Sequence, residues 1–282
     1  MSEIGALARL LAWVLGLSPL WVLALPRAAS LTPCADQYLL GLADPAQIVA
    51  VSSNATDPRQ SLFAAEASRF SSTRGSGEEL VALRVELVLT DRWMPLRVTE
   101  RLGRFGIRVV QIPLPDTWDD IAATTRAIAA ELGRPAQGEA RVAEMRARLA
   151  KLTARHPSTA APPLAAYFLP DGSSAGRGTF IDAVLEAAGT RNLATTLGRN
   201  GWGTFNLEQL ASTAPELIVT GFFDQGGDSA RMAFARHPVF QRLLARVPAI
   251  SVPDRYWICS GWFLAEAAEY IADRLPAAEA RP

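Results

Sequence analysis

Histidine and cysteine are scarce in this sequence, which has only two of each among 282 residues: His156, His237, Cys34 and Cys259. A metal site built from several histidines therefore cannot be assembled, and any histidine base would have to be one of these two. A surplus of positive charge is also lacking, because 28 basic side chains balance 28 acidic ones. Nucleic-acid-binding proteins and polybasic membrane-surface proteins normally carry such a surplus. The composition favours a globular protein that binds a ligand, with no nucleic-acid partner and no resident metal ion.

An apolar run near the N-terminus covers residues 10–23, is interrupted by Pro19, and is followed by Pro26 and Arg27. Its length suits the apolar region of a secretory signal peptide, about 7 to 15 residues, better than a spanning helix of about 20. We predict a signal peptide at residues 1–24 and export to the periplasm, where disulfides can form. An uncleaved anchor is the alternative. Lipidation at Cys34 is disfavoured, because Pro33 replaces the small residue expected before a lipidated cysteine.

The rest of the chain alternates short β-rich runs with amphipathic helical stretches, which predicts an α/β fold with parallel strands. We expect an N-terminal lobe at residues 25–115, a helical connection at 116–163 and a C-terminal lobe at 164–282. In the first lobe the predicted strands are 28–31, 48–51, 87–90 and 108–112, and the predicted helices are 35–42, 62–70 and 97–105. In the second lobe the predicted strands are 164–169, 217–220 and 250–252, and the predicted helices are 180–188, 239–245 and 264–275.

The connection between the lobes is predicted to be helical. Gly133 ends a helix at 116–132, and Pro135 opens a second one that runs to about Arg155. An ordinary packed crossover helix is the simplest interpretation, because Val142, Met145, Leu149 and Leu152 form a single apolar stripe. The length of the helix, its many charges and the Pro-rich linker at 157–163 instead favour a strut between two lobes.

Two segments, 77–90 and 207–220, share a pattern: a glutamate opens a short helix, and a buried strand that ends in threonine follows. The glutamates are Glu78 and Glu208. Stabilisation by the helix dipole, about 0.3 to 1 kcal/mol, is a sufficient reason for an acid at a first turn. Two equivalent acids on two lobes also suggest a symmetric docking surface.

The order of these motifs resembles the periplasmic substrate-binding proteins of ABC importers whose lobes are joined by a rigid helix, the cobalamin and iron-siderophore type. The resemblance rests on residues 30–33, 48–53, 57–58, 178–193, the paired glutamate segments, the linker helix and the loop at Trp257. It implies two Rossmann-like lobes with mainly parallel sheets and a ligand cleft between them. It also implies a monomer with no catalytic residues and no covalently bound cofactor. Such a protein would carry a metal chelate, a corrinoid or a ferric siderophore, to the importer's permease subunits.

The resemblance also implies site residues. Glu78 and Glu208 would pair with arginines of the permease. The cleft would be lined by Pro33, Cys34, Asn54, Trp93, Arg177, Trp202, Tyr256, Trp257 and Trp262. Specificity for cobalamin is doubtful, because this chain has polar residues where the cobalamin binder has aromatic ones in the first lobe: Asn54, Ser72 and Asp91. Four arginines in or beside cleft loops suit the carboxylates or catecholates of a siderophore: Arg92, Arg177, Arg199 and Arg255.

Cys34 and Cys259 would lie in the first and last cleft loops, one in each lobe. A disulfide between them would join the lobes across the cleft, but it requires Cα atoms within about 7 Å. A cleft open for a bulky ligand would normally exceed that distance, so a Cys34–Cys259 disulfide is a possible pairing, and unpaired, buried cysteines are the alternative. Direct contact of a thiolate with the metal of a ligand is a third alternative.

Other classes of protein remain open alternatives. A zinc- or manganese-binding protein of the same architecture would need several cleft histidines. An enzyme of related two-lobed fold would need a converging catalytic group, and no G-x-S-x-G, P-loop or C-x-x-C motif is present. Asp171 and Asp182 are more simply a turn residue and a helix cap. An uncleaved N-terminal segment would instead indicate a membrane-tethered sensor domain.

Overall fold

A computed structural model describes residues 25–155, 161–205, 213–223 and 234–275. The first lobe contains one parallel sheet in the order β3-β2-β1-β4-β5. Its strands are β1 (Ala28–Ser30), β2 (Ile48–Ser52), β3 (Ser71–Thr73), β4 (Leu87–Asp91) and β5 (Arg108–Ile112). All four predicted strands of this lobe are present, and β3 is an addition that the sequence pattern did not reveal.

The second lobe contains a parallel sheet in the order β11-β10-β6-β8 and a separate antiparallel pair, β7 with β9. The strands are β6 (Leu164–Phe168), β7 (Ser173–Ala175), β8 (Arg191–Asn192), β9 (Trp202–Thr204), β10 (Leu217–Gly221) and β11 (Ala249–Val252). The α/β prediction with mainly parallel sheets is therefore confirmed.

Helices cover the faces of both sheets. They are α1 (Pro33–Leu42), α2 (Ala64–Ala67), α3 (Gly77–Ala82), α4 (Leu96–Arg104), α5 (Trp118–Glu131), α6 (Pro135–Arg155), α7 (Phe180–Ala187), α8 (Leu193–Thr196), α9 (Pro238–Leu244) and α10 (Leu264–Ala272). Threonine side chains cap three helices that follow strands, because Thr32, Thr117 and Thr179 each accept a hydrogen bond from a backbone N–H of the first turn. The helix predicted at 62–70 shrinks to α2, whose N-cap Phe63 provides no such bond. Among the described helices, none is both long enough and apolar enough to cross a membrane.

Helix α6 links the lobes by packing on both. Its predicted stripe is buried at Val142, Met145 and Leu152. Gly138 allows a close approach to α5, since a Cβ there would lie 2.6 Å from that of Ala129. On the other side, Arg148 makes an ion pair of 2.6 Å with Glu269 of α10. One continuous apolar core consequently includes residues of both sheets and of α6.

Each sheet has a point at which the strand order reverses, between β1 and β4 in the first lobe and between β6 and β10 in the second. Open α/β sheets generally bind ligands outside the carboxyl ends of their strands at this point. The loops that follow β1, β4, β6, β10 and β11 are therefore where a ligand is expected.

Candidate ligand-binding cleft

Cys34 and Cys259 form a disulfide between the lobes, with Cα atoms 4.9 Å apart. The possible disulfide is therefore present in this structure, and the two lobes approach each other here more closely than a cleft open for a bulky ligand would allow. The reason is that the loop after β11 lies directly on α1. Tyr38 donates a hydrogen bond of 2.9 Å to the backbone oxygen of Ser260, and Ser260 Oγ donates to the backbone oxygen of Pro115. The lobes are thus in buried polar contact where Pro33 and Cys34 begin α1.

Trp257 and Trp262 were expected to contact ligand, but the structure buries both, at 2% and 5% exposure. The Trp262 ring packs edge-on against Tyr38 at 5.2 Å, and it fills the space that a side chain at Gly41 would need. The Trp257 ring packs against Tyr167 at 5.7 Å. Trp262 therefore packs the junction between the lobes, whereas Trp257 packs within the second lobe against Tyr167 and Gly221.

A buried carboxylate holds the start of α1 in place. Asp36 accepts hydrogen bonds from the hydroxyls of Ser30 and Ser52 and from the Ser52 N–H, so it ties α1 to the carboxyl ends of β1 and β2. Burial raises its pKa, against these hydrogen bonds. The sequence reasoning missed this residue, although an acid in the first turn of a helix that follows a strand was a usable signal.

Asp182 has the corresponding place in the second lobe, in the first turn of α7. Its Oδ1 accepts hydrogen bonds from Asn192 at 2.9 Å and Thr195 at 2.7 Å, and its N–H donates to the capping Thr179. The interpretation of Asp182 as a helix cap is wrong, because Thr179 caps α7 and Asp182 lies in the first turn of that helix. These two acids are positioning residues that fix the carboxyl edges of both sheets.

The loop after β4 presents an exposed aromatic ring. Trp93 is 69% exposed, and its N–H donates to Asp91 Oδ1. The guanidinium of Arg92 lies 4.9 Å from the centre of the ring. Leu96, at the start of α4, is exposed to the same extent as Trp93. Asn54, after β2, is exposed, and its amide donates to Gln60. The loop after β4 therefore offers apolar surface and a positive charge together.

The second lobe presents a similar pair on the β7 and β9 strands. Trp202 is 45% exposed, and its ring lies 5.7 Å from that of Phe180. Arg177 is also exposed. Its chain segment runs beside that of Trp202, because residue 177 forms a parallel bridge with Asn200. Trp202 lines a cavity of about 160 Å³, and the buried Ser174 is another of its lining residues. Ser174 Oγ has no hydrogen-bond partner in the described part of the chain.

A groove of about 430 Å³ lies between the start of α5, helix α6 and the start of α7. Burial and the charge of Asp120 raise the pKa of Asp116, while the charge of Arg92 acts in the opposite direction. Burial and Asp182 likewise raise the pKa of Glu186, and Arg177 opposes them. Arg92 and Arg177 therefore act on carboxyls of this groove through their charge, although neither of them lines it.

Tyr256 lies on the side of the disulfide. It is half-buried against Tyr270 at 5.6 Å, with the Arg255 guanidinium 5.0 Å from its ring centre. The neighbouring Asp57 raises the pKa of Arg59, and the charge of Asp254 in the other lobe adds to this effect. Among the described residues, no three His, Cys, Asp or Glu side chains are grouped so that they could hold a metal ion.

Glu78 lies in the first turn of α3, 66% exposed, and forms an ion pair of 2.8 Å with Arg101 of α4. A hydrogen bond from its own backbone and the charge of Arg101 lower the pKa of Glu78. The groove around it, of about 480 Å³, also contains Arg97, Glu100 and Arg104. The second predicted docking acid, Glu208, lies outside the described residues.

Two α/β lobes, a helical connection that packs on both, and exposed rings at the facing carboxyl edges define a two-lobed α/β binding protein. Residues 29–246 match the family model described as periplasmic binding protein. The chain belongs to that family.

Two similar proteins have a name that states a ligand. A cobalamin-binding protein of Halobacterium salinarum is 32% identical over 197 residues, which is 69% of this chain and 53% of that protein. The chain thus spans about half the length of this relative. A vitamin B12-binding protein of Pectobacterium atrosepticum is 27% identical over 280 residues, 95% of each chain.

Solved structures share the fold. A periplasmic heme-binding protein from Pseudomonas aeruginosa superimposes with a TM-score of 0.67 at 22% identity, over 88% of this chain and 91% of that one. The periplasmic vitamin B12-binding protein of Vibrio cholerae gives a TM-score of 0.59 at 20% identity, over 88% and 96%.

Proposed function

We propose that the protein is the periplasmic substrate-binding component of an ABC importer. In this proposal residues 1–24 are removed during export, and the mature monomer captures a metal chelate between its lobes. The chelate is a corrinoid, a haem or a ferric siderophore, and it is delivered to the permease subunits. Family membership and the relatives' names support this class of ligand.

The observation that carries the proposal is the position of the exposed apolar side chains. Six large hydrophobic residues are prominently exposed in the described part of the chain, and four of them lie in loops, in a short strand or at a helix start on segments that follow strands of the two sheets: Trp93, Leu96, Leu197 and Trp202. Exposed apolar surface of this kind marks a binding site, and tryptophan covers a large flat ligand with little loss of side-chain entropy. Two of the four come from each lobe, as capture between lobes requires.

The other two exposed hydrophobic residues, Val81 and Phe105, flank Glu78. An exposed acid beside apolar surface suits a transient protein partner, because rim charges steer association more than they add affinity. Glu78 and Glu208 are therefore proposed as the permease-docking acids. In docking, a permease arginine would have to replace Arg101 as the partner of Glu78.

Limited movement of the lobes is part of the proposal. Helix α6 packs on both lobes, and the disulfide and the Tyr38–Ser260 hydrogen bond restrain them near α1. Ligand binding should consequently change the overall shape little. Small-angle scattering with and without ligand would measure this, and a large contraction would contradict it.

The function is tested on protein recovered from the periplasm with its natural ligand. Native mass spectrometry and the visible absorption spectrum should identify a corrinoid, haem or ferric chelate. The double variant Trp93→Ala/Trp202→Ala should recover far less ligand, whereas Val81→Ala, an exposed apolar residue outside the cleft, should recover as much as the wild type. Equal recovery by all three proteins, or no chelate in the wild type, would contradict the proposed function.

A further inference from the structure

The second lobe is attached to helix α6 through a cluster of charged side chains. Near its start, α6 packs at Gly138 on α5, which itself packs on the first lobe. Further along, the Arg148 guanidinium lies 2.6 Å from Glu269 and 3.7 Å from Glu266, both of α10, and 3.1 Å from Glu144 of α6. Three carboxylates therefore share one guanidinium where α6 meets the second lobe.

A second guanidinium completes the cluster, which we call the α6–α10 joint. Arg141 lies 3.0 Å from Glu144, and its Nε donates a hydrogen bond to the backbone oxygen of Gly41 in the first lobe. Two cations thus face three carboxylates, so the joint has one negative charge in excess when all three are ionised. The members of the joint are Arg141, Glu144, Arg148, Glu266 and Glu269.

Glu266 is the carboxylate with the weakest partner. Its distance of 3.7 Å to Arg148 is the longest ion-pair distance in the joint. Glu266 also lies three residues before Glu269 on α10, and like charges at that spacing destabilise a helix. The excess negative charge therefore opposes the contact mainly at Glu266.

The surroundings of the two outer carboxylates shift their pKa values in opposite directions. Burial raises the pKa of Glu266, Arg148 opposes this effect, and the charges of Glu269 and Glu144 add to it. Burial acts in the same direction on Glu144, but hydrogen bonds from Arg141 and Arg148 outweigh it and lower the pKa of Glu144. A falling pH consequently neutralises Glu266 before Glu144.

The other charged groups on the elements that pack against α10 act elsewhere. Asp273, just after α10, forms an ion pair of 2.7 Å with Arg155 at the end of α6. The charged residues of α7 and of the segment 254–256 are not among the groups that shift the pKa of Glu266. They are Asp182, Glu186, Asp254 and Arg255.

We propose that the α6–α10 joint is a pH-sensitive attachment of the second lobe, which tightens when Glu266 takes up a proton. Two guanidinium groups then balance the two carboxylates that stay ionised, Glu144 and Glu269. Because the first lobe holds the other half of α6, a tighter joint restrains movement of the second lobe against this helix. The loops that carry Trp93 and Trp202 are not part of the joint.

The direction of the pH dependence follows from linkage. The raised pKa of Glu266 means that the folded protein binds this proton more tightly than the unfolded chain does. The joint should therefore strengthen as the pH falls from above the folded value of Glu266 towards the unfolded value of about 4.3. Further acidification should weaken it, because Glu144 then loses its charge.

Hydrogen exchange of the purified mature protein, followed by mass spectrometry at neutral and at mildly acidic pH, tests the inference. The rates are converted to protection factors, which removes the intrinsic effect of pH on exchange. Protection of α10 and of residues 145–155 should rise on acidification by at least about twofold, since a like-charge pair on a helix has an effect of about that size. Protection of α5, which lies away from the joint, is the internal reference.

Two substitutions of the same chemistry, one helical turn apart, should act in opposite directions. Glu266→Gln removes the excess charge, so at neutral pH it should raise the protection of α10 by at least about twofold and abolish its pH dependence. Glu269→Gln removes the shortest ion pair of the joint and should lower the protection at both pH values. Glu139→Gln is the matched control, because Glu139 lies on the first half of α6 and pairs with Arg126 of α5.

The control should keep the protection of α10 and its pH dependence as in the wild type. Equal protection of α10 in the wild type at the two pH values, or a pH dependence that persists in Glu266→Gln, would overturn the inference. Lower protection in Glu266→Gln at neutral pH would also overturn it, because the Glu266 charge would then strengthen the contact. The proposed function is tested separately by the recovered chelate, so it does not depend on these results.

Discussion

Removing the interlobe disulfide by the double substitution Cys34→Ser/Cys259→Ser should lower stability strongly and ligand affinity little. The bond joins residues 225 positions apart. Chain-entropy theory assigns about 5 kcal/mol to the closure of a loop of that length. For a domain of this size each kcal/mol corresponds to about 2–4 °C, so the melting temperature should fall by about 10 °C or more. Both cysteines are replaced so that no single thiol is left to form a dimer.

The assay is scanning calorimetry of wild type and double variant, each with and without reductant, together with alkylation and intact mass. The reductant should lower the melting temperature of the wild type towards that of the variant, and it should leave the variant itself unchanged, which is the control for other effects of the reagent. Affinity for the ligand should change by less than about threefold, about 0.7 kcal/mol, because Trp93 and Trp202, the exposed rings proposed to contact the ligand, lie after β4 and on β9 and not on the segments that the disulfide joins. Two alkylated thiols in unreduced wild type, or identical melting temperatures for the two proteins, would refute the reasoning.

Four further substitutions separate docking, positioning and ligand contact. Glu78→Lys should impair transport but leave ligand affinity unchanged, and a loss of ligand binding would remove Glu78 from the docking role. Asp36→Asn should flatten the dependence of stability on pH. The raised folded-state pKa means that the folded wild type binds the proton more tightly, so its stability should fall as the pH rises from the unfolded value of about 3.9 through the folded one. Urea titrations at several pH values would measure this, with Glu66→Gln on the exposed side of α2 as control, and an unchanged profile would contradict it. Trp262→Ala should destabilise the protein by about 3–5 kcal/mol with little change in ligand affinity. Trp202→Ala should weaken ligand binding with little change in stability. Calorimetry and ligand titration measure the two quantities, and a large loss of affinity in Trp262→Ala with little loss of stability would show that Trp262 is a ligand contact.

Local patterns were sufficient to predict most strands and helices. Buried parallel strands such as β4 and β10 are continuous apolar runs, and the capping threonines mark the starts of helices that follow strands. The short strands β7 and β9 escaped prediction because three residues containing serine or glycine have no diagnostic periodicity. Their pairing depends on contacts between segments that are distant in the chain.

The candidate site was predictable only in part, for a similar reason. The exposed positions of Trp93 and Trp202 agree with a ligand-binding role, which stays a prediction. The burial of Trp262 depends on how the loop after β11 lies against α1, and that of Trp257 depends on its packing against Tyr167 and Gly221; no local pattern encodes either contact. The same contact with α1 brings Cys34 and Cys259 together, so it accounts for both the burial of Trp262 and the disulfide.

The disulfide also determines which motions remain available to the two lobes. Bodies joined at one place can bend and twist about several axes, whereas a second attachment away from the first leaves rotation only about the line through both. Helix α6 is the first attachment and the Cys34–Cys259 bond is the second. Any opening of the molecule should therefore be a rotation about this single axis, and the parts of the lobes farthest from the axis should move most.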